Sequence, residues 1–312
     1  MFLEKKAAVF SLCFLGLLCS CSGKKNGGVA VNQNAAITVA AKGGSTAKNT
    51  AVSETVRTDP RHDDLKSVLS KMSARFKGEV SIPAGKYDAF LSELEQVLLD
   101  EKNNSGDDIS LYYLIDKKHY AGKNNGKDYV PADLVALSTC KAYAVNKDGL
   151  SLRREAYDAL TVMGNAARAD GVQLTISSTY RSYKYQENLF QHWVDVDGLE
   201  EAERESARAG TSQHQLGVAV DFGSVTNDFA YTKQGKWMYS NAAKYGWSLS
   251  FPQDHEDVTG FKWESWHFRY IGAKACALQK NWFYDIQQYM LEFIDEWKKT
   301  GSYKTFAEKN GI

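Results

Sequence analysis

The sequence has no excess of either charge and none of the compact patterns that identify a metal site directly. Its 38 basic side chains (Lys and Arg) balance 38 acidic ones (Asp and Glu), so the formal net charge is zero. No basic surface for nucleic acid is indicated, and we expect no nucleic-acid partner. The patterns His-Glu-x-x-His and Cys-x-x-Cys are both absent. Any metal ligands must therefore come from separate segments of the chain.

Cysteine is also scarce. Only five cysteines occur in 312 residues, and those outside the first 21 residues are Cys140 and Cys276. Outside the cytoplasm these two could form a disulfide. Two isolated cysteines are a weak signal, and their pairing stays open at this point.

The apolar run near the N-terminus is short. Residues 7–18 are apolar and follow Lys5 and Lys6. The run is shorter than the roughly 20 apolar residues that cross a bilayer. A charged start followed by a short apolar run is typical of a secretory signal, so we expect an exported protein.

The end of this apolar run resembles a bacterial lipobox. Leu18 stands three residues before Cys21, and the small residue Ser20 immediately precedes it. The resemblance implies that residues 1–20 are a lipoprotein signal peptide and that Cys21 is lipidated, which would anchor the protein to a bacterial membrane, facing the cell wall or periplasm. An ordinary signal peptide with incidental cysteines is the alternative. Residues 21–58 are rich in small and polar residues without aromatics, and we interpret them as a flexible tether.

The rest of the chain mixes helical and strand patterns. Helical spacing of apolar residues predicts helices over residues 61–77, 86–99, 152–169 (capped by Ser151), 183–194 and 282–297. Alternation and short apolar runs predict strands at 112–115, 172–176, 217–222, 247–251 and 263–270. Because these elements follow no regular β-α-β order, we expect an α+β fold: a small mixed or antiparallel sheet flanked by helices and preceded by N-terminal helices.

Two of the six histidines lie in surroundings that suit a site. Four others have the polar or helical context of surface residues: His62, His119, His192 and His255. His214 and His267 lie beside strand candidates, among glycine, serine, tryptophan and carboxylates. The stretch "GTSQHQLGVAVDF", which ends just after Asp221, fits either a turn followed by a strand or two ligands of one metal. In "WESWHF", Glu264 lies between two tryptophans, whose low dielectric can raise the pKa of a carboxylate.

Three ordered segments resemble the signature of one enzyme family. "SQHQLGVAVD" resembles the Ser-x-His-x-x-Gly-x-Ala-x-Asp pattern of the zinc D-alanyl-D-alanine carboxypeptidases of the VanY type. "ESWHFRYIG" and "STYRSYKYQ" resemble that family's Glu-Pro-Trp-His-x-Arg-Tyr and Tyr-Arg-Ser-x-x-x-Gln segments. Three motifs in the family's order are far more specific than any one of them.

The resemblance implies one zinc ion held by His214, Asp221 and His267. Two neutral imidazoles and one carboxylate leave such an ion a net positive charge, with which it acidifies water and polarises a carbonyl. Glu264 is implied as the general base that takes a proton from water and passes it to the leaving amine. Arg181 is implied as the cation that neutralises the terminal carboxylate of the substrate or stabilises the oxyanion.

Further roles follow from the same resemblance. The substrate contacts that it implies are Gln186, Ser212, Tyr180 and Trp266. Gly217 is expected to let the backbone turn tightly between the first two ligands. Four positions depart from the family's pattern: Ala209 and Ser265 replace common prolines, Gln213 a common glutamate and Phe261 a frequent tyrosine. None of them removes a ligand or the base, so they bear on substrate preference.

The likeness covers roughly half of the chain. It implies a zinc carboxypeptidase domain over 109–275, between an N-terminal helical region (59–108) and a C-terminal helical extension (276–312). The implied substrates are peptidoglycan stem peptides, from which a terminal D-alanine is removed. The family includes D,D-carboxypeptidases and L,D-carboxypeptidases; we favour the D,D activity and keep the L,D activity as the alternative.

Two other functions remain as alternatives. The three motifs of serine-type enzymes with the same substrate also occur in order, at Ser138–Lys141, Tyr239–Asn241 and Lys299–Gly301. The last of these has the composition of a helix end rather than of a strand, which argues against the serine enzyme. A lipid-anchored module that binds peptidoglycan without catalysis, through Trp263 and Trp266, is the second alternative.

Overall fold

A computed structural model describes residues 59–104 and 109–312. The segments that the sequence assigns to a signal peptide and a tether, including the candidate lipidation site Cys21, lie outside the described residues. Over those two ranges, no helix is both long and apolar enough to cross a membrane. The described residues belong to one compact unit.

Within residues 59–104 and 109–312, seven strands form two sheets. They are β1 (Leu134–Ala136), β2 (Tyr143–Val145), β3 (Ser151–Arg153), β4 (Leu174–Ser178), β5 (Ala219–Phe222), β6 (Trp247–Leu249) and β7 (His267–Tyr270). The main sheet has the order β2-β4-β5-β7-β6, while β1 and β3 pair separately. In the main sheet β2 and β4 are parallel and the other pairs antiparallel. Every residue of β5 is buried, as expected for a central strand covered on both faces.

Ten helices surround the sheets in the described residues. They are α1 (Pro60–Arg75), α2 (Tyr87–Asn104), α3 (Arg154–Ala169), α4 (Tyr183–Asp197), α5 (Leu199–Glu205), α6 (Lys233–Asn241), α7 (Glu256–Thr259), α8 (Ala273–Trp282), α9 (Gln287–Trp297) and α10 (Gly301–Asn310). The buried stripe of α3, which includes Ala156, Leu160 and Met163, has the spacing of one helix face. The predicted α+β class is confirmed.

The N-terminal and C-terminal helices pack against each other. α1 contacts α9 and α10, and α2 contacts α8. Phe90 on α2 lies with its ring centroid 5.1 Å from that of Phe293 on α9 and 5.5 Å from that of Trp282 on α8. These aromatic contacts join the two ends of the described chain into one apolar layer.

Three of the predicted elements differ from the structure. Residues 112–115 form no strand; the carbonyls of Leu111 and Tyr113 instead accept hydrogen bonds from the buried guanidinium of Arg269, at 2.7 and 2.9 Å. Ser151 does not cap α3, because residues 151–153 pair with β1 and the helix begins at Arg154.

The predicted continuous helix over residues 282–297 is the third difference. α8 ends at Trp282 and α9 begins only at Gln287. Tyr284 and Asp285 between them have positive φ angles of 54° and 62°, a conformation that interrupts a right-handed helix.

The two cysteines in the described residues are not paired with each other. Cys140 is exposed and Cys276 is buried, and both are free thiols.

Candidate metal centre

Two neighbouring strands and the turn before one of them bring the predicted ligands together. Asp221 on β5 and His267 on β7 are direct partners in the antiparallel register, so their side chains project from the same face. His214 lies in a 3₁₀ turn (Gln213–Leu216) just before β5. Gly217 follows this turn with φ of 70°, the left-handed conformation that glycine adopts without strain.

The three side chains form a compact cluster. His214 Nε2 lies 3.2 Å from Asp221 Oδ2, and His267 Nδ1 lies 3.1 Å from Asp221 Oδ1. One possible ligand atom from each residue lies within 4.8 Å of the others. All three side chains are nearly inaccessible, with residue exposures of 2% for His214, 2% for Asp221 and 3% for His267.

The hydrogen bond of the His214 ring shows that this cluster suits a cation. His214 Nδ1 lies 2.7 Å from the carbonyl oxygen of Thr179, which can only accept, so this nitrogen carries the hydrogen. In the neutral ring the lone pair is then on Nε2, which faces Asp221 and has no hydrogen-bond partner among the described residues. A lone pair and a carboxylate oxygen that face each other in a buried space fit a divalent cation between them.

The electrostatics of the cluster agree with this ligand set. Burial lowers the pKa of His214 to about 4, which keeps the imidazole neutral and able to ligate. Burial works against ionisation of Asp221, but the Arg181 guanidinium, which donates to Asp221 Oδ2, outweighs it and holds the pKa of Asp221 well below its usual value. The site therefore offers the neutral imidazole of His214 and an ionised carboxylate, and His267 completes a His-His-Asp set of a kind that is common at zinc sites.

Glu264 lies beside this cluster without belonging to it. Its Oε2 is 3.5 Å from His267 Nδ1, and its side chain is 13% exposed. Burial, followed by the negative charge of Asp221, raises its pKa well above the usual value. A carboxyl group with a raised pKa at the edge of a cleft is suited to accept and release a proton.

Arg181 contacts the carboxylate of the cluster directly. Its Nη2 donates to Asp221 Oδ2 at 2.5 Å, and its Nε donates to Ser178 Oγ at 2.9 Å. The buried Gln186 accepts from Arg181 Nη1 at 3.5 Å and donates to the carbonyl of Ala207 at 2.8 Å. Gln186 therefore orients the guanidinium and ties it to the segment after α5.

A cleft of about 510 Å³ opens over the cluster. Its lining includes four of the predicted substrate-side residues: Arg181, Gln186, Ser212 and Trp266. The hydroxyl of Ser212 accepts a hydrogen bond from the backbone N–H of His214 at 3.3 Å, so it also caps the turn. Tyr180, the remaining predicted contact, is half-buried and is not among the lining residues.

The serine-type motifs do not form a site in the described chain. Tyr239–Asn241 lies on α6, and Thr300 caps α10 by accepting from the backbone N–H of Tyr303 at 3.1 Å. Ser138 and Lys141 are exposed, and none of the three motifs contributes to the cleft lining. The structure thus gives no support to the serine alternative.

Residues 59–104 and 109–312 contain one other cluster with metal-binding side chains, made of Asp59, His62 and Asp88. The carboxylate of Asp59 already accepts from the Arg61 guanidinium at 2.6 Å and from the Arg61 backbone N–H at 2.9 Å. Asp88 is exposed. This cluster therefore suits a metal less well than the buried one.

Sequence reasoning missed several groups that hold the site. The carbonyl of Thr179 fixes one imidazole, and Gln213 Oε1 lies 3.1 Å from His267 Nε2. A backbone carbonyl leaves no signal in a sequence, because every residue has one. Gln213 is visible as a departure from the family's pattern, but its contact with a residue 54 positions away is not.

Comparisons with known proteins give a consistent family. Residues 149–273 match the VanY family, described as D-alanyl-D-alanine carboxypeptidase. YodJ of Bacillus subtilis strain 168, whose name describes it provisionally as a carboxypeptidase, is 37% identical over 167 residues, which are 52% of this chain and 60% of YodJ. A D-alanyl-D-alanine carboxypeptidase of Enterococcus faecium is 31% identical over 191 residues, 60% of each chain.

The match therefore spans 60% of the length of each of these two relatives. Among solved structures, the LdcB LD-carboxypeptidase has a TM-score of 0.51 and 31% identity, over 59% of this chain and 85% of LdcB. The three residues of the buried cluster, and Glu264 beside them, all lie inside the segment that matches the family.

Proposed function

We propose that this chain, which belongs to the VanY family of D-alanyl-D-alanine carboxypeptidases, is a zinc-dependent carboxypeptidase that removes the terminal D-alanine from peptidoglycan stem peptides. One observation carries the proposal. His214, Asp221 and His267 converge in a buried cluster at the base of a cleft, with the carboxyl group of Glu264 beside them.

The proposed cofactor is a single zinc ion. His214 Nε2, one oxygen of Asp221 and His267 Nδ1 would hold it, since these atoms lie within reach of one another and zinc prefers this donor set. When bound, the ion supplies Lewis-acid chemistry: it lowers the pKa of water and polarises a carbonyl.

The residues of the chain move the protons of the proposed hydrolysis. A carboxylate oxygen of Glu264 takes a proton from the water that attacks the carbonyl carbon of the scissile amide. The same group then gives this proton to the amide nitrogen, the C–N bond breaks, and D-alanine leaves as the amine. The raised pKa of Glu264 favours the first transfer, because a more basic carboxylate takes a proton from water more readily, and the resulting carboxylic acid then lies beside the leaving nitrogen.

The cleft around the centre would receive the C-terminal end of the peptide. Arg181 would meet the terminal carboxylate or the developing oxyanion, since a guanidinium forms paired hydrogen bonds with planar anions. Gln186 would keep Arg181 in place, and Ser212 and Trp266 would contact the peptide from the lining. Tyr180 is the weakest of these assignments, because it does not line the cleft.

The proposed location is outside the cytoplasm, lipid-anchored to a bacterial membrane and facing the cell wall or periplasm. The support is the sequence alone: a charged start, a short apolar run and the lipobox-like end at Cys21. Cells that express the protein and are fed a clickable fatty acid should label it, and the variant Cys21→Ala should lose the label. Equal labelling of both forms would contradict the anchor.

Mass spectrometry of defined stem peptides tests the proposed activity. Incubation with a pentapeptide that ends in D-Ala-D-Ala should release one D-alanine, and a chelator should abolish the release until zinc is restored. Release from a tetrapeptide instead would identify the alternative L,D-carboxypeptidase. Binding to sacculi without release from either peptide would identify the non-catalytic module, and activity that is insensitive to the chelator would contradict the metal mechanism.

A further inference from the structure

A chain of buried amides connects the His267 imidazole to the C-terminal helices. Gln213 contacts the ring, and Gln287 at the start of α9 contacts Gln213. Gln213 and Gln287 are 6% and 1% exposed, and Ser248 and Ser250 beside them are 4% and 2% exposed. Gln287 lies beyond residue 273, where the match to the family ends.

A backbone carbonyl determines which end of each amide donates in this chain of hydrogen bonds. Gln287 Nε2 donates to the carbonyl oxygen of Ser248 at 3.4 Å. Because a carbonyl can only accept, the amide NH₂ of Gln287 must face it, and the amide oxygen faces the other way. That oxygen accepts from Gln213 Nε2 at 3.3 Å. The orientation of Gln287 therefore determines the orientation of Gln213.

The orientation of Gln213 in turn determines which nitrogen of His267 carries the hydrogen. With its NH₂ turned toward Gln287, Gln213 presents Oε1 to His267 Nε2 at 3.1 Å and to the hydroxyl of Ser250 at 2.7 Å. An oxygen acceptor requires a hydrogen on Nε2. In the neutral ring the lone pair is then on Nδ1, which is the nitrogen that faces Asp221 at 3.1 Å.

We propose that Gln287 is a positioning residue that fixes the tautomer of His267, through Gln213, so that its Nδ1 lone pair faces the metal. This inference rests on the proposed zinc site. A carboxylate at position 213 would need no such partner, because both of its oxygens accept. An amide can present either end to the ring, so it needs a third group to choose the end. His214 differs, since the carbonyl of Thr179 fixes its ring directly.

The opposite orientation explains why the choice matters. If the Gln213 amide turned over, its NH₂ would donate to His267 Nε2, and the ring hydrogen would move to Nδ1. A hydrogen on Nδ1 occupies the position that the metal needs. Both amides are buried, so the two orientations differ by hydrogen bonds that water cannot replace.

The test uses the substitution Gln287→Met, which keeps the length of the side chain and removes both polar ends. In the metal-free protein with ¹⁵N-labelled histidine, long-range ¹H–¹⁵N NMR should show a hydrogen held on Nε2 of His267, whether or not Nδ1 also shares a hydrogen with Asp221. In Gln287→Met this hydrogen should be absent from Nε2 in part of the molecules. Competition with a chromophoric chelator should show that its Kd for Zn²⁺ rises about 10- to 100-fold, as for other partners of metal-ligating histidines.

Gln279→Met is the matched control. Gln279 is also a glutamine, is 2% exposed, and accepts from Ser248 Oγ at 2.9 Å, but it does not contact the Ser248 carbonyl. It should therefore keep the wild-type tautomer and zinc affinity, even though it loses buried hydrogen bonds. Adding Gln213→Glu to Gln287→Met should restore both readouts, because a carboxylate accepts from Nε2–H in either orientation.

The outcomes separate this inference from the proposed function. A Gln287→Met protein with the wild-type tautomer and zinc affinity would overturn the inference, and so would an equal loss in Gln279→Met. If Gln287→Met does not fold by circular dichroism, Gln287→Asn gives the same readouts, because its shorter amide cannot reach both partners. Failure of the wild-type protein to bind zinc would instead refute the proposed metal site, and the tautomer would still report on Gln287.

Discussion

Glu264 is the residue that distinguishes catalysis from metal binding. Its carboxyl group lies 3.5 Å from His267 Nδ1 but outside the three-residue cluster. We expect Glu264→Gln to lower kcat for D-alanine release by about 10²- to 10⁴-fold, since an amide cannot accept the proton. The Kd for Zn²⁺ should change much less. Steady-state kinetics and a chelator competition measure the two effects.

Glu200→Gln is a suitable control for that experiment, because Glu200 is exposed on α5 and does not line the cleft. It should keep wild-type kinetics. If Glu264→Gln retained full activity, the general base would have to be a different group.

His214 provides a pH prediction for the metal-free protein. Burial lowers its pKa from 6.5 to about 4, so the unfolded chain binds a proton at this ring over that interval while the folded chain does not. Stability is therefore lost as the pH falls from 6.5 toward 4. The loss from this group alone is roughly 3 kcal/mol at most. Titration of the His214 ring by NMR should give a midpoint near 4, whereas a midpoint near 6.5 would contradict its burial as a neutral group.

At the scale of elements, the turn before β5 sets the spacing of two proposed ligands. A Cβ at Gly217 would lie 3.1 Å from side-chain carbons of Arg153 and Leu134, and the residue has φ of 70°. We expect Gly217→Ala to lower the free energy of unfolding by about 1–3 kcal/mol, from the left-handed backbone and the tight contacts together. Zinc affinity should fall with it, because the turn also carries His214. Urea unfolding and chelator competition measure both.

Gly149→Ala separates backbone strain from packing in that experiment. Gly149 has a similar φ of 77°, but a Cβ there would meet nothing within 4 Å. The free energy of unfolding of Gly149→Ala should fall by about 1 kcal/mol, and its zinc affinity should stay at the wild-type value. Equal effects of the two substitutions on the Kd for Zn²⁺ would show that the contacts of Gly217 do not matter to the site.

The elements also show how much of the fold could be predicted from the sequence alone. The helix α3 and the strands β5 and β7 follow from local apolar patterns, because each buries a face that the pattern displays. The strand predicted at 112–115 was wrong, because the carbonyls of Leu111 and Tyr113 accept from Arg269, which lies more than 150 positions away, and not from a neighbouring strand. The wrong continuous helix arose because apolar spacing persists through Tyr284 and Asp285, whose left-handed backbone the pattern does not reveal.

The candidate site also has a part that could be predicted from the sequence and a part that could not. The resemblance of three ordered segments to the family's motifs implied His214, Asp221, Glu264 and His267, whereas their spacing alone left a turn followed by a strand open. The partners that orient the rings were not predictable, since they depend on a backbone carbonyl and on an amide chain that crosses from the turn to α9. Their effect is a choice of tautomer, which only the assembled hydrogen bonds determine.

At the scale of the whole molecule, the helices on either side of the family segment belong to the same packed unit. Phe90 on α2 is fully buried against the rings of Trp282, Phe283 and Phe293. We expect Phe90→Ala to lower the free energy of unfolding by about 3–5 kcal/mol. Because the unit is continuous, far-UV circular dichroism and zinc release should still change together on denaturation.

Val162→Ala is the control at the surface, because Val162 on α3 is 59% exposed. This substitution should lower the free energy of unfolding by less than about 0.5 kcal/mol. Loss of helical signal well before zinc release in Phe90→Ala would show that the terminal helices unfold independently of the metal centre.

The most direct test of the central claim is a zinc anomalous difference map from a crystal grown with zinc. We expect one peak within about 2.0–2.2 Å of His214 Nε2, an oxygen of Asp221 and His267 Nδ1. A map with no peak among these three atoms, or with its zinc peak beside Asp59, His62 and Asp88, would contradict the proposed centre.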